Sequence, residues 1–151
     1  MKTLRQYRQQ LGWFMTCLMA LWLPGPARSA TSIWVVDAAG NWSTTGNWSP
    51  GAPTNSTGDV ITLRNNITAA RTITMDTAGT AGILNMGDLL GNSTFTLAGT
   101  NALTLDNGGS NSQINVLNGA TQTISAPLTI AGTGLDANVY VGLLDLTGVV
   151  S

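Results

Sequence analysis

Beyond residue 30 the only side chains charged at neutral pH are two arginines, Arg64 and Arg71, and seven aspartates, at positions 37, 59, 76, 88, 106, 136 and 145. That stretch holds no Lys, Glu, His or Cys. Triads of the Ser-His-Asp or Cys-His kind, thiol chemistry and zinc bound by imidazole or thiolate are therefore excluded. So are a Schiff base and a phosphate-loop lysine. Two Arg against seven Asp leave the body at net −5, which argues against a nucleic-acid partner, because phosphate neutralisation supplies most of that affinity. An acid pair for glycoside hydrolysis needs two close carboxylates, and the aspartates are spread out. A β-helix polysaccharide lyase would need Asp-held calcium beside an Arg base, and no spacing places Arg64 or Arg71 next to an Asp cluster. Asp106-Asn107-Gly108-Gly109-Ser110-Asn111 has the composition of a calcium turn but lacks a repeated Asp nonapeptide. The expectation is a protein that is no enzyme, with no catalytic residue, cofactor or metal.

Three indoles offer binding chemistry instead. Trp34, Trp42 and Trp48 fall in residues 31–59, where Gly40-Asn41-Trp42-Ser43 is echoed by Gly46-Asn47-Trp48-Ser49. They are followed by Pro50-Gly51-Ala52-Pro53 and Gly58-Asp59. In one reading the indole faces stack on sugar rings and form a carbohydrate contact. In the other they cap the open end of an apolar column, shielding its strands from edge pairing. The cap is the preferred expectation. Asn-x-Ser/Thr triplets at Asn41, Asn47, Asn55, Asn66 and Asn92 follow from an Asn- and Thr-rich composition and receive no role.

The elements that must hold these residues are short strands. Beyond residue 30 there are 20 Thr, 13 Asn and 16 Gly; Thr favours strands, whereas Asn and Gly favour tight turns. An apolar–polar–apolar unit recurs at Ile61-Thr62-Leu63, Ile73-Thr74-Met75, Leu84-Asn85-Met86, Phe95-Thr96-Leu97, Leu103-Thr104-Leu105 and Ile114-Asn115-Val116. It recurs again at Leu128-Thr129-Ile130, Val139-Tyr140-Val141 and Leu144-Asp145-Leu146. Most steps between units are near eleven residues. Two units per coil give a parallel β-helix with a coil of about twenty-two residues. Roughly four coils fit between 60 and 151, with Asn side chains of the Asp106–Gly109 and Asn118-Gly119 turns bonding along the axis. An antiparallel sandwich is the competing architecture, since Asn107-Gly108 and Asn118-Gly119 also suit hairpins.

The first 29 residues read as an export signal. Lys2, Arg5 and Arg8 precede an apolar run from Leu11 to Leu23, broken by Pro24-Gly25-Pro26 and closed by Ala27-Arg28-Ser29. Thirteen residues are too few for a membrane span, which needs about 20. The cut is placed after Ser29, with Ala30 as second choice. Cys17 leaves with the leader, so the mature chain has no disulfide.

The order Trp34…Gly40-Asn41-Trp42-Ser43…Asn47-Trp48…Gly51-Ala52-Pro53…Gly58-Asp59-Val60 resembles the start of secreted bacterial proteins with autotransporter-associated β-strand repeats. Thr123-Ile124-Ser125-Ala126-Pro127-Leu128-Thr129-Ile130 and Leu146-Thr147-Gly148-Val149-Val150-Ser151 are similar to their passenger repeats. The resemblance covers about 31–151. It implies a right-handed parallel β-helix at the cell surface, outer membrane-associated or released, often followed by a C-terminal barrel or other anchor, which is not expected within residues 31–151.

The sequence thus predicts an all-β chain: signal peptide 1–29, Trp/Gly/Pro-rich cap 30–59, and β-helix repeats 60–151 that are incomplete at the C-terminus. The expected function is a non-catalytic, adhesin-like passenger segment exported through the Sec pathway. Surface glycans or a neighbouring cell surface are its expected partners, without membrane insertion after cleavage. The alternatives are a carbohydrate-binding module using Trp34, Trp42 and Trp48, and more remotely a polysaccharide lyase.

Overall fold

A computed structural model describes residues 29–118 and 120–151. The expected export signal over 1–29, apart from Ser29, lies outside them, and Cys17 with it. One 3-10 turn, Thr45–Asn47, is the sole helical element among the described residues, and no helix there is long and apolar enough to cross a membrane.

Fourteen strands build three sheets. In the first, β1 (Thr31–Trp34), β4 (Val60–Leu63), β7 (Ile83–Met86), β10 (Ser112–Val116) and β13 (Leu135–Val139) lie side by side, with β3 (Trp48–Ser49) outside β1. The second stacks β2 (Gly40–Asn41), β5 (Arg71–Met75), β8 (Phe95–Gly99), β11 (Thr121–Ile124) and β14 (Leu143–Leu146). The third stacks β6 (Gly79–Ala81), β9 (Leu103–Asp106) and β12 (Leu128–Ala131). Every pairing between these strands is parallel except β1 with β3. The protein is a parallel β-solenoid of about four coils.

The sandwich alternative is excluded by that direction. Asn107 and Ser110 form a tight local reversal, with Gly108 and Gly109 at positive φ. Yet β9 before it and β10 after it belong to different sheets, so the turn is a corner of the coil and not a hairpin.

Two expectations about the coil are corrected. Each complete coil has three strands, not two: β4, β5 and β6 all precede the return at Ile83, which pairs with Val60. The third strand was invisible because Gly79-Thr80-Ala81 carries no large apolar residue. Its small inward side is required by what lies against it, since a Cβ on Gly79 would sit 3.1 Å from the Trp42 ring. The second correction is Val139-Tyr140-Val141. The strand there is Leu135–Val139, held in register over Ser112–Val116, and Tyr140 and Val141 lie past its end, exposed.

Alternation of side chains explains the core. Ile61, Leu63, Leu84, Met86, Ile114 and Val116 point inward from the first sheet, and Ile73, Met75, Phe95, Leu97 and Ile124 from the second. Leu103, Leu105 and Leu128 close the third side. Each fully buried aliphatic or aromatic side chain contributes about 1.5–3 kcal/mol. One polar residue sits in the second-sheet column: Gln122 is buried, its Oε1 accepts from Phe95 N at 2.9 Å, and its amide donates to Ala120 O at 3.2 Å. Gly99 ends β8 at φ +130, where a Cβ would meet the Met75 carbonyl oxygen at 2.8 Å. Only glycine suits both constraints.

Candidate functional site

The N-terminal coil carries the indoles. Trp34 on β1 and Trp48 on β3 are direct antiparallel partners, and their rings meet edge to face with centroids 5.2 Å apart. Trp42, just after β2, meets Trp48 in the same way at 5.0 Å. Such pairs add about 0.5–1.5 kcal/mol beyond area burial. Trp48 Nε1 donates to the Trp42 carbonyl at 2.7 Å inside the cluster.

Relative exposures of 0%, 1% and 3% for Trp34, Trp42 and Trp48 correct the carbohydrate-contact expectation. Stacking on a sugar needs an open indole face, and these faces pack on one another and on the core. The reason lies in the topology: β1 and β2 are the first rungs of the first and second sheets, in parallel register with β4 and β5. The Trp segment is therefore built into the same ladders as the repeats, and its rings fill the end of the column.

The outward positions form polar ladders. Thr72, Thr96 and Thr123 are in register on the second sheet, and Thr80, Thr104 and Thr129 on the third. On the first sheet the ladder is bonded side chain to side chain. Asn85 donates to Thr62 Oγ1 at 3.3 Å, Asn115 to Asn85 Oδ1 at 2.9 Å, and Asn138 to Asn115 Oδ1 at 3.0 Å. Sequence reasoning placed Asn ladders in the turns; the structure places this one at mid-strand. The available signal was Asn, in place of Thr, at the centre of Leu84-Asn85-Met86 and Ile114-Asn115-Val116.

Six of the seven aspartates, all but Asp145, accept hydrogen bonds at separate places in the fold, and among the described residues no three His, Cys, Asp or Glu side chains lie close enough to hold a metal ion. Asp37 pairs with Arg71 at 2.8 Å and accepts from the Thr68 hydroxyl and N–H. Its carboxyl is pulled down to about 2, first by the Arg71 bond and then by Thr68. Arg71 is thus engaged in an ion pair at the solenoid surface, while Arg64 is exposed. Asp76 is lowered by the hydroxyl and N–H of Ser43, at 2.5 and 3.0 Å.

In the Asp106–Asn111 turn, whose composition suits calcium, Asp106 Oδ1 accepts from Gly108 N at 3.0 Å and Oδ2 from the Thr57 hydroxyl at 2.9 Å. Both bonds lower its pKa.

Two aspartates missed by sequence reasoning are buried. Asp88 organises the 87–94 loop: its carboxylate accepts the N–H groups of Ile67, Leu90, Asn92 and Ser93 at 3.1–3.4 Å. Burial pushes its pKa up, but these four bonds hold it below the usual carboxylate value. Asn118 donates to the Asp88 carbonyl from the next coil. Asp59, 5% exposed, accepts from Ala30 N at 2.8 Å.

The ends of the solenoid differ. The N-terminal end is closed by the indoles. At the other, Val139, Tyr140, Val141, Leu143, Val149 and Val150 are exposed, and Val150 already bridges Leu128 in parallel as the start of another rung.

The chain matches no protein-family model, no curated protein and no solved structure.

Proposed function

We propose that this protein is a non-catalytic, passenger-type spacer, exported and displayed at or released from a bacterial surface. The observation that carries it is the set of outward ladders on three sheets. Thr and Asn repeat in register at the strand spacing, about 4.8 Å, along faces that are polar but nearly uncharged. Such faces give a rigid rod with distributed contacts. Surface glycans or a neighbouring cell are the partners such faces fit. Solenoid stability grows with each stacked coil, which suits a spacer whose length is set by repeat number. The apolar rim of the last coil suits a further coil, a C-terminal barrel or another anchor.

The test is location. The full chain is expressed in an export-competent bacterium and intact cells are treated with an added protease. Loss of the protein from intact cells, or its recovery from the medium, is the expected result. An unprocessed chain protected in the cytoplasm overturns the proposal. So does formation of unsaturated sugar products from a polysaccharide panel.

A further inference from the structure

Asp59 is a buried carboxylate short of partners. Asp88, equally enclosed, has four N–H donors. Among the described residues Asp59 accepts one side-chain bond, from Ala30 N at 2.8 Å, and the two arginines there lie elsewhere: Arg71 is bound to Asp37 and Arg64 is exposed. A buried charge is tolerated when it is paired with an opposite one.

The group that could supply the missing charge is the one already touching Asp59. Ala30 is tied into the ladder at its other side, its carbonyl accepting Val60 N at 2.8 Å. Asp59 is equally fixed. Its N–H donates to Ser56 O at 3.1 Å, and its carbonyl accepts Gly82 N at 2.8 Å and Ile83 N at 3.0 Å. Ala27 and Ser29 are the small residues that a leader peptidase requires three and one positions before its cut.

We propose that the Ser29–Ala30 bond is the processing site, and that the α-ammonium released at Ala30 forms an ion pair with Asp59 that completes the first coil. Water adds across the peptide bond; Ser29 leaves with the new carboxylate, and Ala30 keeps the nitrogen as an ammonium. One amide hydrogen facing Asp59 becomes three ammonium hydrogens and a full positive charge, and charge-assisted bonds are about twice as strong as neutral ones. The exposed bond from Ser29 Oγ to Gly58 O is lost with the leader. A cut after Ala30 would remove both the donor to Asp59 and the acceptor for Val60 N, so the geometry chooses between the two cleavage positions. This inference rests on export, the first part of the function proposed above.

Two measurements test it. The exported protein's intact mass should correspond to a chain starting at Ala30. A different start overturns the inference while leaving export standing; an unprocessed cytoplasmic chain overturns both. Chains beginning at Ala30 are then compared free and Nα-acetylated, as wild type and Asp59→Asn. Acetylation should lower the Tm of wild type by about 4 °C and that of Asp59→Asn by ~1 °C or less. Equal shifts in the two backgrounds would show Asp59 to be merely structural and overturn the pairing. Should Asp59→Asn not fold, the acylation rate of the Ala30 amine in wild type decides. It should be roughly tenfold slower folded than in urea, the factor given by one pKa unit; equal rates overturn the pairing.

Discussion

Asn115 donates its side-chain amide to Asn85 Oδ1 at 2.9 Å, one coil to the next, and receives the amide of Asn138 on its own oxygen. The middle member of the ladder thus uses donor and acceptor together. Asn115→Ala should cost about 2 kcal/mol, the net value of two hydrogen bonds with a penalty for the partners left behind. Asn115→Asp should cost more, since it sets a carboxylate oxygen against Asn85 Oδ1. Asn138→Ala, with one bond at the last rung, should cost about half as much as Asn115→Ala. Urea midpoints at constant m-value read all three, and equal losses at Asn115 and Asn138 would contradict a coupled ladder.

The indole cluster predicts a stability phenotype and not a binding one. Trp48→Ala removes the ring that touches both other indoles and should cost about 4 kcal/mol. Trp48→Phe keeps most of the apolar volume but leaves the Trp42 carbonyl without its donor, for about 1–2 kcal/mol. Acrylamide should quench tryptophan emission weakly in the native state. Saturable fluorescence changes with polysaccharide, lost in Trp48→Ala at unchanged stability, would reinstate a sugar platform.

Asp88→Asn should destabilise the loop between β7 and β8. An Asn carboxamide offers one oxygen and turns two hydrogens toward N–H groups that need an acceptor. A loss of about 2 kcal/mol is expected, in the range of charged hydrogen bonds. Faster amide exchange at Asn92 and Ser93 should accompany it. Unchanged exchange there would mean the loop is held by something else.

Acid should weaken the fold in a defined window. Asp37, Asp76, Asp88 and Asp106 all have carboxyls below their ordinary value of 3.8. A group lowered in the folded state binds its proton less readily than the unfolded chain does. Its stabilisation is therefore fully present above the unfolded value and lost as pH falls through the folded one. Tm should be flat between about pH 5 and 7 and fall toward pH 2, where Asp37 titrates. Asp37→Asn should lower Tm at pH 7 and shrink the acid-induced drop. A Tm independent of pH down to 2 would refute the carboxylate bonds.

Strand positions were legible where the chain alternates large apolar and small polar residues, because a strand with one dry face leaves that pattern in a single segment. Ile61-Thr62-Leu63, Phe95-Thr96-Leu97 and Leu103-Thr104-Leu105 are such cases. So was the all-β class, which follows from composition and local strand pattern. Gly79-Thr80-Ala81 left no such mark, since its small side is dictated by the Trp42 ring packed against it. The packing of Trp34, Trp42 and Trp48 on one another joins residues from separate strands, and the fit of Trp42 against Gly79, the bonding of Asn85 to Asn115 and the contact of Ala30 with Asp59 join residues from different coils. Local composition cannot report which side chain lies one coil above another. Only winding the chain into register brings those atoms within bonding distance.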